Sequence, residues 1–250
     1  MLLRLLTCLI LLALPLCVHA ESLIYEVEGV EGELLDNVNG WLGAPPVSPE
    51  ERLNFVVSAK SRVEQSLQAL GYYRPDIDIA IDRGRDPWRM TITVTAGAPV
   101  RIRDFRVLVA GDAASDDTFS DLISRPLLVY GNVFHHGEYD AFKRGLQALG
   151  QRRGYFDGRL LLSQVKVDPV GGTADVLIEY DSGLRYRFGQ LKYNPEQLER
   201  EQLLALQPFA AGDYYSAPLL QRFQSDLQRT GFFSSVIVGP QLAARNDGVV

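Results

Sequence analysis

A glycine followed directly by two aromatic residues occurs three times along the chain. The copies are Gly71-Tyr72-Tyr73, Gly154-Tyr155-Phe156 and Gly231-Phe232-Phe233, and their glycines lie 83 and 77 residues apart. Similarity that returns at a nearly constant period is the signature of repeated structural units. The pattern therefore predicts several small domains of one kind rather than one large domain.

A stripe of apolar residues precedes each of these glycines. Twelve and eight positions before the glycine, apolar side chains recur in the pairs Ala59 and Val63, Phe142 and Leu146, and Leu219 and Phe223. This spacing places the side chains on one face of an amphipathic helix. Because a glycine just past a helix end commonly adopts the left-handed conformation, we expect a positive φ at all three glycines.

Strand patterns surround each predicted helical region. Over residues 76–82, isoleucines alternate with aspartates or alanine, which is the period of a half-buried strand. Similar apolar runs lie at 90–95, 159–168, 174–180 and 236–238, and others precede the helices at 23–28, 105–109 and 191–193. The predicted unit is therefore β-α-α-β-β, an α+β fold.

Two segments are typical of helix N-termini. Ser48-Pro49-Glu50-Glu51 and Asn194-Pro195-Glu196-Gln197 each combine a cap residue, a first-turn proline and a side chain suited to a capping box. We expect a long helix after Ser48 and another helix after Asn194.

The junctions between units also repeat. Residues 97–102 and 183–188 share one pattern at a constant offset of 86 residues. In both junctions, the alternation of apolar and polar residues then shifts by one position, at Arg103-Asp104 and at Gly189-Gln190. Such a shift is expected at a β-bulge or a domain boundary. The predicted domains, called the first, second and third repeat below, are residues 21–102, 103–188 and 189–250.

Residues 1–20 have the pattern of a cleavable secretory signal peptide. Arg4 precedes an apolar run over 5–16, and Val18-His19-Ala20 places small residues at the −3 and −1 positions of a signal peptidase site. The run is shorter than the roughly 20 residues that a membrane-spanning helix needs. A retained anchor and a lipoprotein at Cys17 are the alternatives. Both cysteines of the chain lie in this segment, so residues 21–250 hold no thiol or disulfide site.

Charge and composition exclude several classes of function. The net charge of −6 and the lack of a basic block predict no nucleic-acid binding, which depends on phosphate neutralisation. His135-His136 are adjacent, so on a helix they would not share a metal-binding face, and we expect them to be solvated. Asp116-Asp117 and Glu50-Glu51 stand at predicted helix starts, where carboxylates favour the helix dipole. The sequence predicts no enzyme, with no catalytic residue, cofactor or metal.

The aromatic pairs and one basic segment have structural interpretations. Neighbouring strand residues face opposite ways, so we expect one aromatic of each pair to pack on the helices and the other to lie near the surface. A ligand platform is the alternative. Arg185-Tyr186-Arg187 is interpreted as a strand at a domain junction rather than an anion site.

The order of these features resembles the POTRA domains that precede the barrels of outer-membrane assembly and secretion proteins. Residues 70–73 (Leu-Gly-Tyr-Tyr) and 183–189 (Gly-Leu-Arg-Tyr-Arg-Phe-Gly) are similar in particular to the TamA family. The resemblance implies three tandem POTRA domains, each with two helices on a three-stranded mixed sheet. The third repeat is expected to be incomplete, since residues 249–250 only begin its last strand.

The resemblance also implies a function. The implied function is that of a periplasmic scaffold which guides unfolded β-barrel or autotransporter clients. The scaffold would dock a TamB-like partner anchored in the inner membrane. It would belong to an outer-membrane protein through a C-terminal barrel. Alternatives are the periplasmic part of a two-partner secretion transporter and an exported, non-enzymatic binding module. An exported hydrolase or solute-binding protein is disfavoured by the small repeats and the missing catalytic motifs.

The resemblance further implies which strand edge meets a partner. In a POTRA unit the third strand is central and the second lies at the edge. Asp76, Asp78 and Asp82 would guard that edge in the first repeat, because charges discourage indiscriminate strand pairing. The corresponding strand of the third repeat lacks such charges. The candidate partner edge is therefore Ser235, Val236, Ile237 and Val238.

Overall fold

The computed structural model describes residues 22–126, 128–193, 200–242 and 248–250. The expected signal peptide and the helix cap expected at Asn194 lie outside the described residues. Two compact units are present: one extends to Leu67 and includes Pro75–Ala96, and the other comprises Gln68–Arg74 and Gly97–Val250. The division into three repeats remains a proposal.

The first compact unit has the predicted β-α-α-β-β order. Its elements are β1 (Leu23–Glu28), α1 (Gly32–Leu42), α2 (Pro49–Ala69), β2 (Asp76–Asp82) and β3 (Trp88–Thr95). The sheet order is β1-β3-β2, with β1 parallel and β2 antiparallel to β3. The third strand is central and the second lies at the edge, as the resemblance implied.

Helix α2 begins as its sequence predicts. The Glu51 N–H donates to Ser48 Oγ at 3.2 Å, and the Ser48 N–H donates to Glu51 Oε2 at 3.4 Å, which together form a capping box. Further along the helix, the predicted pair Ala59 and Val63 is fully buried, and so is Leu67 one turn later. The periodicity therefore identified the buried face of this helix.

The second compact unit contains a second sheet of the same topology. Its elements are β4 (Arg101–Ala110), α3 (Asp117–Ser124), α4 (His136–Arg153), β5 (Arg159–Asp168) and β6 (Thr173–Asp181), with a 3-10 turn at Asp112–Ser115. The order is β4-β6-β5, again with the third strand central and parallel to the first. The register shifts between Ile102 and Asp104, which confirms the bulge predicted there.

The buried residues of this sheet form one hydrophobic cluster with its helices, called the second core. Strand β6 contributes Ala174, Val176, Ile178 and Tyr180, each almost fully buried. The Tyr180 hydroxyl lies where a side chain on Gly150 would project, and this close approach explains why glycine interrupts the apolar stripe of α4.

The remaining described residues contain two helices, α5 (Arg200–Leu206) and α6 (Ala217–Arg229). Leu219, Phe223 and Leu227 contribute to a separate cluster, called the third core, which confirms the stripe predicted for α6. The strands predicted at 191–193 and 236–238 are wrong, because neither segment is a strand. Among the described residues of this region, bridges occur only at Arg187, which pairs with Tyr214 and with Val249. In the described residues 186–193, 200–242 and 248–250, no strand pairs with either segment.

Candidate functional site: turns, edges and cleft

The three glycine turns have the left-handed conformation that the sequence predicts. The φ angle is 92° at Gly71, 90° at Gly154 and 72° at Gly231. Each glycine N–H donates to the carbonyl three residues earlier. At the Gly154 turn, the Tyr155 N–H also donates a hydrogen bond to the Gly150 carbonyl at 2.9 Å, which completes a Schellman motif.

The surroundings of the three turns differ. A Cβ added at Gly154 would lie 2.8 Å from Tyr215 Cβ, and one added at Gly71 would lie 2.5 Å from the Phe134 carbonyl oxygen. Around Gly231 nothing lies within 4 Å of the added atom. Two of the turns are therefore packed against another chain segment, and the third is open.

The same hydrogen bonds recur around the two packed turns within the second compact unit. At the first turn, the Val100 N–H donates to the Gly71 carbonyl (2.8 Å), and the Phe134 N–H donates to the Val100 carbonyl (2.9 Å). At the second turn, the Tyr186 N–H donates to the Gly154 carbonyl (2.9 Å), and the Tyr215 N–H donates to the Tyr186 carbonyl (2.9 Å). The junction pattern read from the sequence thus corresponds to a repeated backbone network. Arg185-Tyr186-Arg187 forms part of it.

The aromatic pairs pack differently from the expectation. Tyr155 is buried in the second core, whereas Phe156 packs against the third core with its ring centroid 4.8 Å from that of Tyr215. Tyr73 packs against the second core. The second aromatic of the first two turns is therefore a junction residue rather than a surface residue.

The remaining aromatics of the pairs differ in exposure. Tyr72 is half-buried. At the third turn Phe232 is 69% exposed, and Phe233 packs against the third core. The pairs therefore pack in different surroundings, with Tyr73 and Tyr155 at the second core and Phe156 and Phe233 at the third.

Asp116 is the centre of a cluster that sequence reasoning missed. It caps α3, since Oδ1 accepts the Thr118 N–H at 3.0 Å. Its Oδ2 accepts from Arg153 Nε at 2.6 Å and from Tyr155 Oη at 2.9 Å, and Arg185 Nη1 lies 3.9 Å away. The helix-start interpretation was correct but incomplete, because the carboxylate also links the end of α4 to the segment after β6.

The electrostatics of this cluster keep Asp116 ionised. Burial raises the pKa of Asp116, but the hydrogen bonds from Tyr155, Arg153 and Thr118 together lower it below its usual range. Burial and the neighbouring carboxylate raise the pKa of Tyr155, so its phenol keeps the proton that it donates. No local pattern reveals this contact, since Asp116 and Arg153 are 37 residues apart.

The histidine pair is not simply solvated, which corrects the expectation. His135 caps α4, because its Nδ1 accepts the Gly137 N–H at 3.0 Å. His136 is half-buried, with Nε2 2.6 Å from Tyr73 Oη and its ring centroid 4.9 Å from that of Phe134. Burial lowers the pKa of His136. The two side chains point to different surroundings, as their adjacency predicted.

Strands β2 and β5 lie at sheet edges. In β2 the aspartates 76, 78 and 82 are exposed, as expected for a guarded edge. In β5 no charged residue lies between Arg159 and Lys166, and Ser163 and Gln164 are exposed. An added strand would therefore meet negatively charged side chains at the edge of β2 and uncharged side chains at the centre of β5.

The candidate partner edge at 235–238 lies beside an apolar cleft. Ile237 is 91% exposed, while Val236 and Val238 pack against the third core. The cleft has a volume of about 580 Å³, and residues 188–193 and 235–241 are among those that line it. Val249 and Val250 also line it.

Over the described ranges, no group of three or more His, Cys, Asp or Glu side chains could hold a metal ion. Across the same ranges, no helix is long and apolar enough to cross a membrane.

The β-α-α-β-β order, the central third strand and the glycine turns are together the features expected of tandem POTRA-type units. Residues 24–96 match the family model described as POTRA domain TamA domain 1. This match supports, over those residues, the POTRA resemblance found in the sequence.

Solved structures of the same type are similar over most of the chain. One is Haemophilus influenzae BamA POTRA3-5, with 18% identity, 91% of this chain and 92% of that chain covered, and a TM-score of 0.46. Another is the N-terminal domain of Omp85 from Thermosynechococcus elongatus, with 19% identity, coverages of 86% and 87%, and a TM-score of 0.34. Because both scores lie below 0.5, the assignment rests on the family match and the strand order.

Proposed function

We propose that this chain is the periplasmic, non-enzymatic part of an outer-membrane assembly factor. It guides unfolded β-barrel or autotransporter clients and docks a TamB-like partner anchored in the inner membrane. The family match over residues 24–96 supports the class. The signal-peptide pattern of residues 1–20 supports export.

The observation that carries the proposal is the open edge of β5. An edge strand offers backbone N–H and C=O groups to an added strand, and such pairing tolerates many client sequences. The centre of β5 carries no charged side chain, whereas β2 is lined by aspartates. We therefore assign client recognition to β5 rather than to β2.

Residues Ser235, Val236, Ile237 and Val238, which form no strand in the structure, are proposed as a second partner-binding segment. They correspond to β5 in the repeat pattern and are also uncharged. The high exposure of Ile237 leaves it accessible to a partner.

Site-specific photo-crosslinking in cells tests the proposal. A crosslinker replaces Ser163 in β5, Ser235 or Ile237, all of which are exposed, and the matched control replaces the exposed Asp78 in β2. We expect β-barrel or autotransporter precursors to be captured from the first three positions and not from Asp78. Capture of these clients from Asp78 alone would reverse the assignment of the edge.

A further inference from the structure

A small basic pocket lies within the second compact unit, at the junction of the second and third repeats. Its volume is about 180 Å³, several times the roughly 30 Å³ that one water molecule occupies in the liquid. Arg152, Arg153 and Arg185 line it, and none of the described lining residues is acidic. Thr118 and Ser216, which carry hydroxyl groups, line it as well. This arginine pocket therefore has the size and the hydrogen-bond donors for a small anion.

Two of the three guanidinium groups are held in place by the protein. Arg153 Nε donates to Asp116 Oδ2 at 2.6 Å, and Arg185 Nε donates to the Arg153 carbonyl at 3.2 Å. In both side chains these hydrogen bonds are made by Nε, so the Nη groups keep N–H donors for a ligand. Arg152 is exposed to solvent. Two of the three cations are therefore already oriented before an anion binds.

The basic segment at residues 185–187 contributes only one of its arginines to the pocket. Arg187 is directed elsewhere, because its Nη1 donates to the Gly212 carbonyl at 2.7 Å and its guanidinium carbon lies 3.7 Å from the centroid of the Tyr214 ring. Arg185 instead lies beside Arg153, which is 32 residues earlier in the chain. The pocket therefore depends on the fold and is not visible in the local segment.

Around Gly71 the same backbone network is built without these arginines. When the two glycine turns are aligned, Ala69 and Leu70 stand where the second repeat has two arginines of the pocket. At the 86-residue offset of the junctions, Pro99 stands in place of Arg185. Because the backbone hydrogen bonds at the two turns are equivalent, the network does not require arginine at these positions. Cations in the last turn of α4 favour the helix dipole, but this role does not account for Arg185, which lies outside the helix.

The charge of the pocket selects the class of anion. The ion pairs that the described part of the chain shows for these arginines go to Asp116, at 2.6 Å from Arg153 and 3.9 Å from Arg185. One carboxylate against three guanidinium groups leaves about two positive charges. Asp112 accepts the Arg185 backbone N–H at 2.9 Å but is exposed, so solvent screens its charge. A bound carboxylate supplies one negative charge, whereas a phosphate monoester supplies about 1.5 to 2 near pH 7 and accepts paired hydrogen bonds from guanidinium groups.

We propose that the arginine pocket binds a dianionic phosphate group, either inorganic phosphate or the monoester headgroup of a lipid. Arg153 and Arg185 donate to it from their Nη groups, and Arg152 adds the third positive charge. Because the ligand contacts both α4 and the segment after β6, its binding stabilises the junction of the second and third repeats. The proposal does not depend on strand pairing at β5, so its failure would leave the proposed function unchanged.

Isothermal titration calorimetry of the full chain with inorganic phosphate, at about pH 8 and constant ionic strength, tests the proposal. Arg152→Ala removes one charge and installs the residue that the first repeat has at this position. The matched control is Arg144→Ala, which removes an exposed arginine earlier in α4 that is not among the residues lining the pocket. We expect the dissociation constant for phosphate to rise about tenfold or more in Arg152→Ala, the effect of losing one charged hydrogen bond, and to stay unchanged in Arg144→Ala.

Thermal unfolding without phosphate separates binding from stability. If Arg152 serves only the helix dipole, Arg152→Ala lowers the Tm and leaves the dissociation constant for phosphate unchanged, which would overturn the proposal. A titration with acetate at the same ionic strength tests the class of anion. Acetate bound as tightly as phosphate would overturn the assignment to phosphate, and so would the lack of saturable binding of phosphate in any form.

Cosedimentation with vesicles distinguishes the two sources of the phosphate group. The vesicles are phosphatidylcholine with phosphatidic acid, a phosphate monoester, and the control vesicles hold phosphatidylglycerol, a diester with a single charge. The net charge of the chain is −6, which disfavours non-specific attraction to either. Binding to phosphatidic acid that Arg152→Ala weakens and inorganic phosphate displaces supports a lipid headgroup as the ligand. Binding of inorganic phosphate without binding to the vesicles supports the free anion.

Discussion

Gly154 and Gly231 share a positive φ, but only Gly154 is enclosed. Tyr215 Cβ stands 2.8 Å from where a methyl group would project at Gly154, and it cannot swing away because it is attached to the backbone. At Gly231 the same methyl group meets open space. Substitutions at these two glycines therefore separate the free-energy cost of a left-handed backbone from the free-energy cost of crowding at the packed junction.

We predict that Gly231→Ala lowers the free energy of unfolding by about 1–2 kcal/mol, the cost of left-handed backbone for a residue with a Cβ. Gly154→Ala should cost about 1–3 kcal/mol more, because the junction must also shift to relieve overpacking. Urea unfolding followed by circular dichroism measures both variants. Equal losses at the two positions would show that Tyr215 does not constrain the turn.

Asp116 connects three parts of the second compact unit through one carboxylate. Its contacts with Arg153 and Tyr155 are direct hydrogen bonds, and the residue is 8% exposed. We predict that Asp116→Asn lowers the unfolding free energy by about 1–3 kcal/mol at pH 7, since its partners lose their charged acceptor. Asp117→Asn, an exposed change one residue away, should cost less than about 1 kcal/mol.

The effect of Asp116→Asn should depend on pH in a defined direction. The pKa of Asp116 is lower in the folded chain than its usual value of about 3.9. Its stabilising contribution is therefore complete above that usual value and is lost as the pH falls through the folded pKa. The difference between wild type and Asp116→Asn should shrink on acidification below about pH 4. A difference that stays constant from pH 7 to pH 3 would exclude the ionised carboxylate as its cause.

Among the secondary-structure elements, β6 contributes most to the second core. Its side chains alternate between buried and half-buried along its whole length. We predict that Ile178→Ala costs about 2–5 kcal/mol, because it leaves a cavity under α4. Leu177→Ala, on the opposite face of the strand, should cost about 1 kcal/mol. Urea unfolding of the two variants tests this, and equal losses would contradict the assigned face.

Features encoded by neighbouring residues were predictable from the sequence. The bounds of β1, the capping box of α2, the glycine turns and the bulge after Ile102 all follow from local patterns. Each depends on residues within a few positions of one another, so periodicity and cap chemistry were sufficient.

Features that depend on distant residues were not predictable. Tyr73 meets His136, Phe156 packs on the third core, and Asp116 binds Arg153 across 37 residues. Similarly, the runs at 191–193 and 236–238 have strand-like sequences but no strand. Strand formation requires a neighbour, and a single run of residues does not reveal whether that neighbour is present.

The chain as a whole is expected to act outside the cytoplasm. The pattern of residues 1–20 predicts removal during export, with Glu21 as the first residue of the mature chain. Mass spectrometry of the protein recovered from the periplasmic fraction measures this. A periplasmic chain that still begins at Met1 would contradict the processing site.

Clients are proposed to be held by backbone pairing along the exposed edge of β5. Amide hydrogen exchange reports directly on backbone hydrogen bonds, so we would compare the chain alone with the chain saturated by an unfolded β-barrel precursor. We expect slower amide exchange in β5 of the saturated chain, with no change in β2 or along α4. Protection confined to α4 or to β2, with β5 unchanged, would contradict it.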